Sequence, residues 1–235
     1  MRTMKYEIRP FTPEELDIFE SEWSRMISYY SKYSKRPDGT GSVTDLLEAN
    51  KENILAAAQS ASLKLRPISR EFEGLNTSRG YGMRQIRPDD IVPAAQGRTF
   101  DAVLSGLTPN SWYGYIHNGA IGDTFDDTPL YPRKELATII VGFLSVKDPI
   151  VDEMQWIINN LPYPVWNMVT QMHAADVNLF ELSEPIFLYG GVSYRSQIKV
   201  NSDSGNLTLI PIGVTFVLAD YNREIEPPQP STVAP

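Results

Sequence analysis

The sequence predicts an α+β fold: N-terminal helices, an irregular Arg/Gly/Pro-rich extended region, and a C-terminal, mostly antiparallel sheet packed with one or two helices. Three observations carry that expectation. Helix-start signals and apolar residues at helical spacing crowd the first 62 residues. Between 63 and 132, glycine, proline, arginine and asparagine recur too often for long elements. Beyond Leu136, β-branched runs are separated by polar turns. The regular β-α alternation of a doubly wound sheet or an α/β barrel is missing. The chain divides accordingly into a helical region (1–62), an extended loop or arm (63–132), an α+β core (133–225) and a Pro-rich tail (226–235).

The elements follow in chain order. Tyr6 to Arg9 fits a short strand. Thr12 reads as a helix N-cap, with Pro13 at N1 and Glu15 at N3, which makes a capping box. Phe11 and Leu16 take the two positions of a hydrophobic staple. Leu16, Phe19, Trp23, Met26, Ile27 and Tyr30 recur at helical spacing, and the helix stops near Lys35 before Pro37-Asp38-Gly39. A second helix starts at Ser42, with Asp45 three residues on and a stripe of Leu47, Ile54, Leu55 and Ala58. The run Ala56-Ala57-Ala58 favours it. Leu63, Leu65 and Ile68 alternate like an edge strand limited by Pro67. Phe100 to Leu107 is a strand or a helical turn, and the pattern does not decide.

Leu136 to Val146 is a β-rich run suited to a buried strand. Asp148 as cap, Pro149 at N1 and Asp152 with Glu153 in the first turn predict a helix over 149–161. Its face would be Ile150, Met154, Ile157, Ile158 and Leu161, and Pro162 and Pro164 would end it. A shorter helix is expected over Val165 to Ala174. Three extended segments follow, Leu179–Tyr189, Val192–Val200 and Leu207–Asp220, with Asn201 to Asn206 joining the last two as a hairpin loop. On the final strand Thr208, Ile210, Ile212, Val214, Phe216 and Leu218 share one face. The other face is also largely apolar, so both need a cover. The 149–161 helix should cover one through Ile157 and Ile158, and a second layer or a neighbouring subunit the other. Pro211 cannot donate to a ladder, so the strand should bulge or lie at an edge there.

Composition narrows the function classes. The 235 residues are 42% hydrophobic, 11% aromatic and 21% charged, which suits a folded chain with a sizeable core. With 21 Lys+Arg against 29 Asp+Glu the net charge is −8, so a surface built to bind nucleic acid or anionic membrane as a whole is disfavoured. The charge is segregated. Residues 64–98 hold seven basic and four acidic groups, whereas residues 100–235 hold six basic and fifteen acidic. The absence of cysteine excludes disulfides, thiolate zinc sites, Fe–S ligation and cysteine nucleophiles. The charged, alternating N-terminus has no apolar signal core, and the uncharged apolar run Leu136 to Val146 is too short to span a bilayer. The expectation is a protein made in the cytoplasm, not secreted by a signal peptide, with no membrane partner.

No phosphate-binding loop, dinucleotide fingerprint or nucleophile elbow is present. His117 and His173 stand alone, which leaves little room for a transition-metal site. Asp123, Asp126 and Asp127 form an oxygen-rich loop that is a weak Ca²⁺ or Mg²⁺ candidate without EF-hand spacing, and no cofactor is expected. Missing catalytic motifs, a long arm and segregated charge together suggest a self-assembling structural subunit of a large homo-oligomeric particle, a virus or phage capsid or other virion protein. Copies would attract basic middle to acidic C-terminal half. The expected interface residues are Arg79, Arg84, Arg87, Trp112, Tyr113, Pro227 and Pro228. Partners would be copies of itself and other particle proteins, with any nucleic-acid contact lacking sequence specificity. The alternative is an enzyme or small-ligand binder with a site near Tyr113, Tyr115, His117 and Asp123. In the order of its elements the chain resembles tailed-virus capsid subunits at the level of fold. No family motif is matched and no residue role is carried over.

Overall fold

The computed structural model describes residues 10–33, 43–71, 81–91, 100–115, 129–133, 135–145, 150–168 and 179–218. The first helix, α1 (Pro13–Tyr33), opens on the expected capping box. The Thr12 N–H donates to Glu15 Oε2 at 2.9 Å and the Glu15 N–H to Thr12 Oγ1 at 3.3 Å. Phe11, Phe19, Trp23, Met26 and Tyr30 are buried, while Leu16 stays at the surface. The second expected helix is two, α2 (Val43–Ala49) and α3 (Lys51–Glu71). Buried Asn50 makes the break: its side-chain amide donates to the Leu46 carbonyl at 3.0 Å and to Glu181 at 3.1 Å. α3 runs on through Pro67, so Leu63, Leu65 and Ile68 are helical and not an edge strand. Propagating a helix from Ala56-Ala57-Ala58 outweighs an alternation carried by two leucines.

The strands that follow are β1 (Tyr81–Gln85), β2 (Asp101–Leu104), β3 (Trp112–Tyr115), β4 (Leu136–Ser145), β5 (Val151–Ile158), β6 (Leu161–Pro162), β7 (Trp166–Asn167), β8 (Leu179–Tyr189), β9 (Tyr194–Val200) and β10 (Gly205–Leu218), with a four-residue helix α4 (Pro88–Ile91) after β1. They form two antiparallel sheets. Sheet I has the order β1-β10-β4-β8, with β2 also on β10. Sheet II has the order β3-β9-β5-β6, with β7 also on β5. The α+β class is therefore as expected, built as three layers: helices, sheet I, sheet II.

Sheet I is the middle layer and explains the apolar character of its strands on both faces. Ile212, Val214 and Phe216 of β10 pack with Ala137, Ile139 and Val141 of β4 against Phe19, Trp23, Leu47 and Ile54 of the helices. Leu207 and Leu209 of β10 and Ile140 and Phe143 of β4 pack the other way, against Met154, Trp156, Tyr194 and Ile198 of sheet II. Both ladders of β4 skip Val141, a bulge that reverses which face its side chains meet. Glycines permit the close approach there. A Cβ on Gly213 would fall on the Ile139 carbonyl oxygen, and one on Gly142 on that of Phe180. The buried Tyr30 hydroxyl donates to the Gly213 carbonyl at 3.4 Å. Pro211 meets its expectation: Leu209 to Gly213 pair with β4 alone, and the register shifts between Ile212 and Gly213.

Further expectations are overturned. Residues 151–158 are strand β5, not part of a 149–161 helix. The helical spacing would have left Trp156 on the polar side, whereas in the strand Val151, Met154, Trp156 and Ile158 all point inward and Trp156 is fully buried. Asn159 and Asn160, at φ 49° and 62°, then turn the chain tightly into β6. The two faces of β10 are both covered: the Phe216 face by α1–α3, and the Leu207 and Leu209 face by sheet II, where Ile158 is buried as part of a strand and Ile157 is only half-buried. Trp166–Asn167 is a short strand on β5 instead of the start of a 165–174 helix. β9 and β10 are not a hairpin: the polar stretch 201–204 carries the chain from one sheet to the other. Finally, the described part of the expected arm supplies β1, β2 and β3 to both sheets. The expected strand at Tyr6 to Arg9 and the Pro-rich tail lie outside the described residues.

The core between the sheets stacks Trp156 on Tyr194, ring centroids 5.5 Å apart. Burial pushes the Tyr115 and Tyr194 phenols well above the ordinary tyrosine value. The Tyr194 hydroxyl is buried with no hydrogen-bond partner among the described residues. An unfolded phenol releases its proton near pH 10 while the buried one keeps it, so stability is full below that pH and falls as pH rises through it. Tyr194→Phe should therefore keep or raise stability at neutral pH, by up to about 1 kcal/mol, because an unpaired hydroxyl leaves the core. It should also make the alkaline fall shallower. Urea unfolding at neutral and alkaline pH checks both, and a clear loss at neutral pH would contradict the buried, unpaired hydroxyl.

Candidate functional site

Alternation along β1 sends Met83 to the helices and Arg84 to the opposite face, into the space beside sheet II. A guanidinium there is 10% exposed and needs a counter-charge. α4 supplies it. Pro88 sits at its start, and Asp89, Asp90 and Ile91 are all buried. Asp90 takes Arg84 in a two-pronged pair, Nη1 to Oδ2 at 2.6 Å and Nη2 to Oδ1 at 2.5 Å. The same carboxylate accepts from the Arg87 N–H at 2.8 Å and the Thr215 hydroxyl at 2.9 Å. Thr215 lies 3.1 Å from the Thr138 hydroxyl, so the polar row runs over three neighbouring strands, β1, β10 and β4. Next to it Asp89 faces Arg133 at 3.8 Å.

This is the most concentrated chemistry among the described residues, and its geometry is that of a clasp. Four donors fill the lone pairs of Asp90, so the carboxylate is neither a free base nor an open ligand. Among the described residues no three acidic or histidine side chains converge as a metal would need. The segment from β1 to α4 is thereby stitched to the middle of sheet I.

The expected site residues fall into distinct settings. Arg84 is committed to Asp90 of its own chain, which corrects its expected role on a surface arm; a charge on this face of β1 can only be buried. Arg87 gives its backbone N–H to the same carboxylate. Tyr115 is buried between the sheets and is not open to a ligand. Half-buried Tyr113 accepts a hydrogen bond from the Thr108 N–H at 2.7 Å. Trp112, one step along the strand, points outward. Arg79, His117, Asp123, Asp126, Asp127, His173, Pro227 and Pro228 lie outside the described residues. Asp89 and Asp90 were missed as partners; the signal was a second Pro-acidic helix start, Pro88-Asp89-Asp90, close after Arg84.

The surface of sheet II is the other feature. One edge is made by β3 and then Leu130, which bridges Tyr194. The other is made by β6 and β7 on β5. Large apolar side chains stand out at both: Trp112 (38% exposed) and Tyr131 (59%) on the first, Leu161 (57%) and Val165 (49%) on the second. Prolines punctuate both edges, Pro129 and Pro132 on one and Pro162 and Pro164 on the other, which discourages strand addition. The outer face between them is polar, with Lys199 and Glu153 paired at 3.5 Å. No protein-family model, no curated protein and no solved structure matches this chain.

The clasp makes a sharp demand. Asp90→Ala would leave a buried guanidinium uncompensated, and stability should drop by about 3–5 kcal/mol. Urea unfolding measures the loss. A drop of the size seen for exposed pairs, under about 1 kcal/mol, would contradict the clasp.

Proposed function

We propose that the chain is a self-assembling structural subunit of a virus or phage particle, a capsid or other virion protein, acting through subunit contacts rather than catalysis. The observation that carries the reading is the set of exposed apolar side chains at the edges of sheet II, Trp112 and Tyr131 above all. Aromatic side chains standing out beside a polar face are typical anchors of protein contacts. Proline on both edges favours contact through these side chains over strand pairing. The segregated charge adds a second support: an acidic C-terminal half and a more basic middle allow copies to meet in a preferred orientation. Partners are then copies of the chain and other particle proteins. Arg84, engaged internally, is available to neither a neighbouring subunit nor nucleic acid.

Size decides the reading. The purified chain should sediment far above 26.5 kDa and show particles by electron microscopy. Trp112→Glu combined with Tyr131→Glu should reduce assembly strongly while circular dichroism stays unchanged, because both side chains are at the surface. A parent that remains monomeric, or a double variant that assembles as the parent does, would overturn the proposal.

A further inference from the structure

The border of a sheet leaves the N–H and C=O of every second residue pointing away from the ladder. On β1 those residues are Tyr81, Met83 and Gln85, and the central one is Met83, opposite Phe216. Both of its outward groups are occupied from α1. The Met83 N–H donates to Glu22 Oε2 at 3.4 Å, and its carbonyl accepts from Arg25 Nη2 at 3.2 Å. The same arginine nitrogen bonds the same carboxylate oxygen at 2.6 Å. One acceptor and one donor side by side are what a neighbouring strand would offer Met83.

Two contrasts give this arrangement meaning. Arg25 is 60% exposed and Glu22 27%, and an ion pair at such exposure adds little to stability. Its placement on a backbone edge is the feature to explain. The edges of sheet II are also punctuated by proline, whereas β1 (Tyr-Gly-Met-Arg-Gln) has none, and its one charge, Arg84, is turned inward to Asp90. β1 therefore lacks two of the usual deterrents to strand addition, a proline and an outward charge.

We propose that the Glu22–Arg25 pair is a side-chain cap on the β1 edge that keeps a second copy of this chain from pairing its own β1 there. Antiparallel pairing of two β1 strands about Met83 is self-complementary, so the excluded partner is a two-fold copy. The cap restricts self-association to other surfaces. The inference stands apart from the assembly reading, because it compares variants with the parent whatever the parent's size.

The test uses two double variants of equal net charge. E22A/R25A removes the acceptor and the donor, and alanine keeps the helix. E22Q/R25Q keeps an acceptor and a donor without the ion pair. By sedimentation velocity the alanine variant should form an added species at twice the mass of the parent's own, growing with concentration. The glutamine variant should sediment as the parent. In the associated alanine variant the Met83 amide should exchange more slowly than in the glutamine variant. An alanine variant that sediments as the parent, or association by both variants alike, would overturn the cap.

Discussion

A fourteen-residue strand with both faces apolar cannot stand at the surface of a folded chain. β10 is that strand, and the rest of the molecule is arranged around covering it. Phe216, Val214 and Ile212 require the helices, while Leu207 and Leu209 require sheet II. β4 lies beside it under the same demand, which is why Leu136 to Ser145 carries almost no polar side chain. The bulge at Val141 lets one continuous strand serve two differently shaped layers. Close-packed backbones at Gly142 and Gly213 follow from it.

The polar row inside the middle sheet is short and hydrogen-bonded along its length. Thr138 and Thr215 sit in the middle sheet and bond each other, and Thr215 passes the row on to Asp90 and Arg84. The charge is thus confined to the end of a polar row instead of standing alone in the core. At the sheet borders the same economy holds. Proline interrupts the edges of sheet II, and a helix ion pair occupies the outward groups of Met83. Among the described residues, Trp112, Tyr131, Leu161 and Val165 stand exposed at the edges of sheet II.

The helical start of the chain was legible because its signals are local. Thr12, Pro13 and Glu15 specify a cap without help from distant residues. The long strands were legible from apolar runs, and Pro211 correctly marked an irregular place on β10. What failed was non-local. Asp148-Pro149 imitates a helix start, yet β5 gains a full ladder with β9 and the burial of Trp156. The Asn159-Asn160 turn was the local sign of that strand. β9 and β10 looked like a hairpin because adjacency in sequence says nothing about which sheet a strand joins. The clasp was hidden for a related reason: Arg84 reads as a surface charge until the alternation of β1 and the position of α4 are both known.

The central claim is that the middle sheet needs both covers at once, so helices and sheet II stand or fall with β10. Native-state hydrogen exchange in low denaturant tests it most directly. The slowest amides of α1, β5 and β10 should share one opening free energy, equal to that of global unfolding. Helix amides that open at a clearly lower free energy, while β10 and β5 remain closed, would contradict it.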